Sequence, residues 1–447
     1  MNEKTSGTGG GLLYRLLRRV IDVRPEEVAA LAWAWLYFFA VLSAYYVIRP
    51  IRDEIGVAGG IENLPWLFTG TLIGMTLANP PFAALVARLS PARFISITYR
   101  FFISNLLQFL VLLQTTSGSV NLWSGRAFYV WCAVFNLFVV SVFWAFMVDV
   151  FTNQQGRRLF GFIAAGGTLG GILGSTLTST LVRHTGRSVL MLLSMLLLEV
   201  AVFSVRRLAR IVKGLRERHA AAAEERAIGG GVLSGLTHAV KSPYLLNISL
   251  YMLLYTILST FLYFQQAAIA KHVFADRLSR TAFFADMDLA VNTLTLAIQL
   301  FFTGRILKKF GVAMTLTLLP ALSAIGFFLL GLAPTLWIFV VVQVSRRALN
   351  FAVTRPTREI LFTVVPREDK YKSKSFIDTF VYRTGDQLGA WSSGLMMWLG
   401  LGVAGIGFAA VPISLLWLLN GLWLGRRQEK LAAAAAKVPV LQSVFNL

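Results

Sequence analysis

The chain has 447 residues, of which 56% are hydrophobic and only 14% charged, with a mean hydropathy of +0.66. This composition excludes an ordinary water-soluble domain and indicates a polytopic helical membrane protein, because apolar runs of about 20 residues recur throughout. The net charge of +21 does not point to nucleic acid, since the basic residues fall mostly in short loops that alternate along the chain.

The single cysteine, Cys132, lies in an apolar run, so neither a disulfide framework nor a cysteine metal site is expected. The four histidines, His184, His219, His238 and His272, lie in or beside loops with no partner at ligand spacing. No nucleophile elbow, phosphate-binding loop or dinucleotide fingerprint is present, so no cofactor is expected and an enzyme is disfavoured.

In chain order, residues 1–27 are polar and then basic (Arg15, Arg18, Arg19), a segment suited to an anionic lipid surface. The first apolar run is too long for a cleaved signal. Twelve spans are expected, at 28–52, 66–87, 94–115, 128–151, 159–182, 188–206, 244–270, 282–303, 312–332, 336–363, 376–399 and 403–424. One set of loops carries Arg88 and Arg93, Arg157 and Arg158, eight basic residues between 206 and 243, Arg305 with Lys308 and Lys309, and Arg367, Lys370, Lys372 and Lys374. The opposite loops hold only Arg126, Arg183, Arg187, Lys271, Arg277 and Arg280. The positive-inside rule therefore puts both termini and the loop at 207–243 in the cytoplasm, and the membrane is expected to be a bacterial inner membrane.

That loop divides an N-terminal six-helix bundle (28–206) from a C-terminal one (244–424), with a cytoplasmic tail at 425–447. The expected fold is an all-α membrane protein of two pseudo-symmetric six-helix bundles, the layout of major facilitator transporters. A short internal echo agrees with it: Gly167-Thr-Leu-Gly170 in the fifth span and Gly385-Asp-Gln-Leu-Gly389 in the eleventh. In the fifth span, Gly166, Gly170 and Gly174 recur every fourth residue, a face for close helix packing.

The chemistry concentrates in four stretches. Span 1 closes on YYVIRPIRDE, with Tyr45, Arg49 and Arg52 on one helical face and Asp53 and Glu54 following; the arginines either face an anion or pair with these acids. Span 7 places Tyr251, Tyr255, Ser259 and Tyr263 at intervals of four, a stripe for packing or for stacking on a ligand. Span 10 continues into SRRALNFAVTRPTRE. At about 100° per residue, Arg347, Asn350, Thr354 and Arg358 form one polar stripe, with Arg346 and Arg355 beside it and Pro356 expected to kink or end the helix. Each such arginine costs about 2.5–3.5 kcal/mol in a membrane helix, a cost retained where the charge meets protein, water or a ligand. Span 11 aligns Asp378, Tyr382, Gly385, Asp386 and Gly389 with Arg383 to the side. Asp386 is expected to pair with Arg346, Arg347 or Arg358, or else to carry a proton. Asp286 and Asp288 in span 8 are expected at the interface.

Three segments, YYVIRPIRDEIG, FWAFMVDVFTNQQGRRLFGFIAAGGTLGG and RPTREILFTVVPREDKYKSKSFIDT, resemble the ATP/ADP-translocase branch of the major facilitator superfamily. The resemblance implies a nucleotide or similar phosphorylated anion as substrate, with Arg49, Arg52 and Asp53 at the family's basic–acidic signature in span 1. Two positions depart from that pattern: Pro50 stands where the exchangers have an acid, and Asp386 where they have a substrate-engaging basic residue. The expectation is a monomeric secondary transporter of an organic anion working by alternating access. Substrate contacts are expected from Tyr45, Arg49, Arg52, Tyr255, Arg346, Arg347, Asn350 and Arg358, and coupling or ion-pair roles from Asp53, Asp378, Arg383 and Asp386. A proton-coupled exporter of another solute and a non-transporting receptor are the alternatives.

Overall fold

A computed structural model describes residues 14–15, 21–88, 91–218, 242–365, 373–374 and 376–445. Among these residues there is no strand, and twelve helical passes run in order. They are α1 (Val28–Ala58), α2 (Leu64–Arg88), α3 (Pro91–Thr115), α4 (Gly118–Val150), α5 (153–185) and α6 (187–218), then α7 (Pro243–Val273), α8 (Arg277–Phe301), α9 (Thr303–Leu332), α10 (336–361), α11 (377–398) and α12 (Val403–Phe445).

Local chemistry sets several boundaries. Gly186, at φ 71°, separates α5 from α6, and Gly311, at φ 69°, breaks α9 near its start; only glycine takes these angles without strain. Helix α7 starts at Ser242, whose side chain accepts from the Leu245 amide, with Pro243 at the first helical position. Thr335 caps α10 in the same way through the Ile338 amide. Asp276 caps α8, its carboxylate accepting from the Ser279 amide at 2.7 Å. The Ser279 hydroxyl and amide hold that carboxyl below its usual range.

Among the described residues nine helical stretches are long and apolar enough to cross a membrane, with 158–211 counted as one, and the helices begin and end at shifted positions relative to the expected spans. The ninth extends back through 303–310, carrying Lys308 and Lys309 on a helical lead before Gly311. The twelfth does not stop at 424 but runs to Phe445, so the expected tail is largely helical. Arg18 and Arg19, the loop residues 219–241, and Arg367, Lys370 and Lys372 lie outside the described residues.

The chain forms two compact units that differ from the two expected halves in two segments. Unit 1 holds residues 1–59, 73–224 and 276–289, and unit 2 holds 60–72, 225–275 and 290–447. In unit 1, α1 lies against α5, and the glycines explain why. A Cβ on Gly170 would meet the Phe39 carbonyl oxygen at 2.3 Å, and one on Gly174 the Ser43 oxygen at 2.5 Å. The core beside it is aromatic: Phe38 stacks on Phe143 at 4.1 Å, and the buried Tyr37 and Tyr99 hydroxyls bond at 2.7 Å.

Unit 2 repeats the arrangement. Helix α11 lies on α7 through Gly385 and Gly389, whose added Cβ atoms would meet the Thr256 and Thr260 side chains at 1.8 and 2.8 Å. Helix α12 lies on α9, where Gly425 faces the Ala313 backbone and Gly407 the Phe327 carbonyl. The glycine echo of the sequence is thus an echo of packing: α5 sits on α1 as α11 sits on α7.

Candidate functional site

In unit 2, three helices, α7, α9 and α12, surround Arg346 of α10. The residue is 2% exposed. Its Nε donates to Ser323 Oγ of α9 at 2.9 Å, and Nη2 donates to Ser259 Oγ of α7 at 3.0 Å and to the Tyr255 carbonyl at 3.4 Å. The guanidinium lies 5.5 Å from the Tyr255 ring centroid and 5.9 Å from that of Trp417 on α12. Among the described residues no carboxylate pairs with it. One turn on, Asn350 Nδ2 donates to the Tyr255 hydroxyl at 2.9 Å, and one turn back, Gln343 donates to Gln266 at 3.1 Å.

Helix α10 does not simply kink at Pro356. It widens into a π turn over Asn350–Thr354 and resumes as α-helix at Arg355. Proline has no N–H, so the Ala352 carbonyl lacks its helical donor; the Thr303 hydroxyl donates to it instead at 2.9 Å. The widened turn holds one extra residue and rotates everything after it by about 100° relative to a regular helix. Arg358 therefore returns to the face of Arg346 and meets α7 at Met252, while its Nη2 pairs with Asp378 at 3.0 Å. Asp378 itself lies in a second π turn, Ile377–Val381. Arg347 is half-buried and has interactions of its own.

Asp386 does not pair with Arg346, Arg347 or Arg358, contrary to expectation. It pairs with Arg383 on its own helix at 3.1 Å, one turn away, and the carboxylate that reaches α10 is Asp378. The tyrosine stripe of α7 also divides. Tyr251 bonds the Leu316 carbonyl at 2.8 Å and Tyr263 packs edge-on to Phe68, both structural contacts, whereas Tyr255 and Ser259 belong to the arginine site.

In unit 1 the α1 arginines are surrounded by acids. Arg49 pairs with Asp288 of α8 at 3.1 Å and lies 3.9 Å from Asp53; Arg52 pairs with Asp53 at 2.5 Å and covers the Tyr129 ring at 4.9 Å. Tyr45 is buried edge-on to Tyr46. Asp288 is 2% exposed, so it is an internal partner and does not mark the interface, while Asp286 bonds Ser179. Glu54, fully buried, is gripped by Arg187 at 3.1 Å, Arg277 at 2.9 Å and Arg280 at 3.1 Å. The sequence reading placed these three arginines in outer loops and missed the cluster. Ser323 and Trp417 carried no signal that could have found them.

The sequence matches the family described as TLC ATP/ADP transporter over residues 113–426, most of the chain. The chain belongs to the TLC ATP/ADP transporter family. Solved structures of major facilitator type share its fold. An auto-inhibited POT family peptide transporter aligns with a TM-score of 0.57 at 13% identity, over 89% of this chain and 96% of that one. A bacterial homologue of the human lysosomal transporter Spinster, inward-facing and unoccupied, gives 0.53 at 12%, over 93% and 98%. The POT family transporter PepTSo gives 0.56 at 12%, over 90% and 98%. No curated protein matches the sequence. This member of the TLC ATP/ADP transporter family is thus a multi-pass membrane protein of the nucleotide-transporter class, built on the major facilitator fold.

Proposed function

We propose that the chain moves a phosphorylated, nucleotide-like anion across a bacterial inner membrane by alternating access, as a monomer with both termini cytoplasmic, and that Arg346 is its principal anion-holding residue. The observation that carries this reading is the environment of Arg346. A buried guanidinium is ordinarily neutralised by a carboxylate, because desolvation of the lone charge costs several kcal/mol. Here hydroxyls, a carbonyl and two aromatic faces hold it in place and leave the charge uncompensated. An incoming phosphate supplies the missing charge, and the planar guanidinium suits it because it donates two parallel hydrogen bonds. Asn350 adds a neutral donor beside it, and the half-buried Tyr255 ring is the aromatic group nearest to where a base would lie. Arg358, like the α1 arginines, is held by a carboxylate, Asp378, and its share in anion binding requires that pair to open. Arg49 and Arg52 are drawn toward Asp288 and Asp53, so their share in anion binding requires those pairs to open.

The test is uptake and counterflow in proteoliposomes with ATP, ADP, sugar phosphates and dicarboxylates. Arg346→Ala is expected to lower affinity for the transported anion by about ten- to a hundredfold, equivalent to about 1.5–3 kcal/mol, and Arg346→Lys to recover part of it. Wild-type transport of every anion by Arg346→Ala sinks the assignment of this residue. A phosphate-free solute as the sole substrate sinks the assignment of the ligand.

A further inference from the structure

Unit 1 carries a second charged feature, on the opposite kind of surface. Arg100 of α3 and Glu199 of α6 pair at 3.2 Å across the seam between the two helices, with half-exposed side chains. Both lie inside apolar helices, and their exposed neighbours are Ile97, Phe101, Leu196 and Phe203. Arg100 is about 13 Å along α3 from Pro91, at 1.5 Å rise per residue. Charge at such depth on a face turned outward is costly unless something covers it.

The same seam continues as a basic ladder toward the start of α3. Arg206 follows Glu199 by two turns on one face of α6, and its Nε reaches Ser96 Oγ of α3 at 3.4 Å; Arg210 follows one turn on, and Arg93 occupies the matching face of α3. Four arginines therefore lie along the seam beside one carboxylate, Glu199, which pairs with Arg100. Arg206, Arg210 and Arg93 are exposed and pair with no acid among the described residues.

We propose that the α3–α6 seam is a binding site for an anionic phospholipid, with the headgroup phosphate held by Arg206 and Arg210 and the acyl chains lying along Ile97, Phe101, Leu196 and Phe203. The chemistry fits on three counts. The charge excess is positive where a phosphate would sit, the basic residues grade from the interior toward the helix ends, and the flanking surface is apolar. A second copy of this chain is a poor occupant of the seam, because an isologous contact would bring the four arginines against their own copies. A soluble anion would leave the apolar flanks and the deep Arg100–Glu199 pair uncovered.

Native mass spectrometry of the protein from nanodiscs of phosphatidylcholine mixed with phosphatidylglycerol tests the site. The wild type is expected to retain phosphatidylglycerol over phosphatidylcholine. The double variant Arg206→Gln/Arg210→Gln is expected to lose that preference by about tenfold, and the charge-matched control Arg426→Gln/Arg427→Gln to keep it. Equal melting temperatures of all three proteins in pure phosphatidylcholine establish that the loss is not misfolding, and a variant that melts early is replaced by the two single substitutions. The proposal is overturned if the double variant retains the lipid as well as wild type does. It is equally overturned if inorganic phosphate displaces the lipid, or if cysteine cross-links across the seam yield a dimer.

Discussion

The end of α1 and the middle of α10 both bury arginine, and they solve the problem in opposite ways. On α1, Arg49 and Arg52 have carboxylates, Asp288 and Asp53, and the adjoining Glu54 is itself ringed by three arginines. On α10, Arg346 has only serine hydroxyls, a carbonyl and the rings of Tyr255 and Trp417. The first arrangement gives every arginine a carboxylate partner and contributes to holding the structure. The second is positioned but not neutralised, which is the condition of a site awaiting an anion. Counting arginines along a helix does not separate the two cases; their partners do.

The contrast can be broken from either side. The largest effect is expected from Glu54→Gln, which leaves Arg187, Arg277 and Arg280 around an uncharged amide. Loss of one partner from a buried ionic cluster costs about 3–5 kcal/mol, to be read as a lowered melting temperature of the purified protein. Asp288→Asn is next. It removes the nearer partner of Arg49, leaves Asp53 at 3.9 Å, and is expected to cost about 1.5–3 kcal/mol. Because it makes α1 resemble α10, it should also make the melting temperature respond to added phosphate, which the wild-type α1 site should not. Asp386→Asn is expected to cost about 1 kcal/mol, since its partner Arg383 is a third exposed and on the same helix. The smallest change in stability is expected for Arg346→Met, within about 1 kcal/mol of wild type, because no carboxylate is orphaned and an uncompensated charge is removed. Affinity of that variant for the transported anion should nevertheless fall by about the same ten- to a hundredfold expected for Arg346→Ala. A strong destabilisation by Arg346→Met would place Arg346 with the structural arginines.

The helices were legible in the sequence because hydrophobic length and basic loops depend on composition, which local rearrangement does not alter. The glycine echo was legible because close approach leaves no alternative to a missing side chain. The choice among the α10 arginines was not. A strict 100° period aligns Arg347 with Arg358, but the π turn over Asn350–Thr354 takes up one residue and aligns Arg346 with Arg358 instead. Pro356 was the visible sign; that the Thr303 hydroxyl would serve the freed carbonyl, and so allow a wider turn, was not readable. The Glu54 cluster was missed for a different reason. Its arginines stand in segments that read as outer loops, and only the fold brings Arg187, Arg277 and Arg280 to one buried carboxylate.

The glycine contacts have a mechanical consequence. Where Gly170 would drive a Cβ into the Phe39 carbonyl, backbone lies on backbone with no side-chain layer between, and at Gly389 a Cβ would meet the Thr260 side chain as well as the Ile257 backbone. Closely packed interfaces transmit strain rather than absorbing it, because little free volume is left for side chains to adjust. Helices α1 and α5 are therefore coupled as one stiff lever, and α7 and α11 as another. Arg346 and Arg358 both touch α7, so a load on the anion site is carried into the second lever without slack.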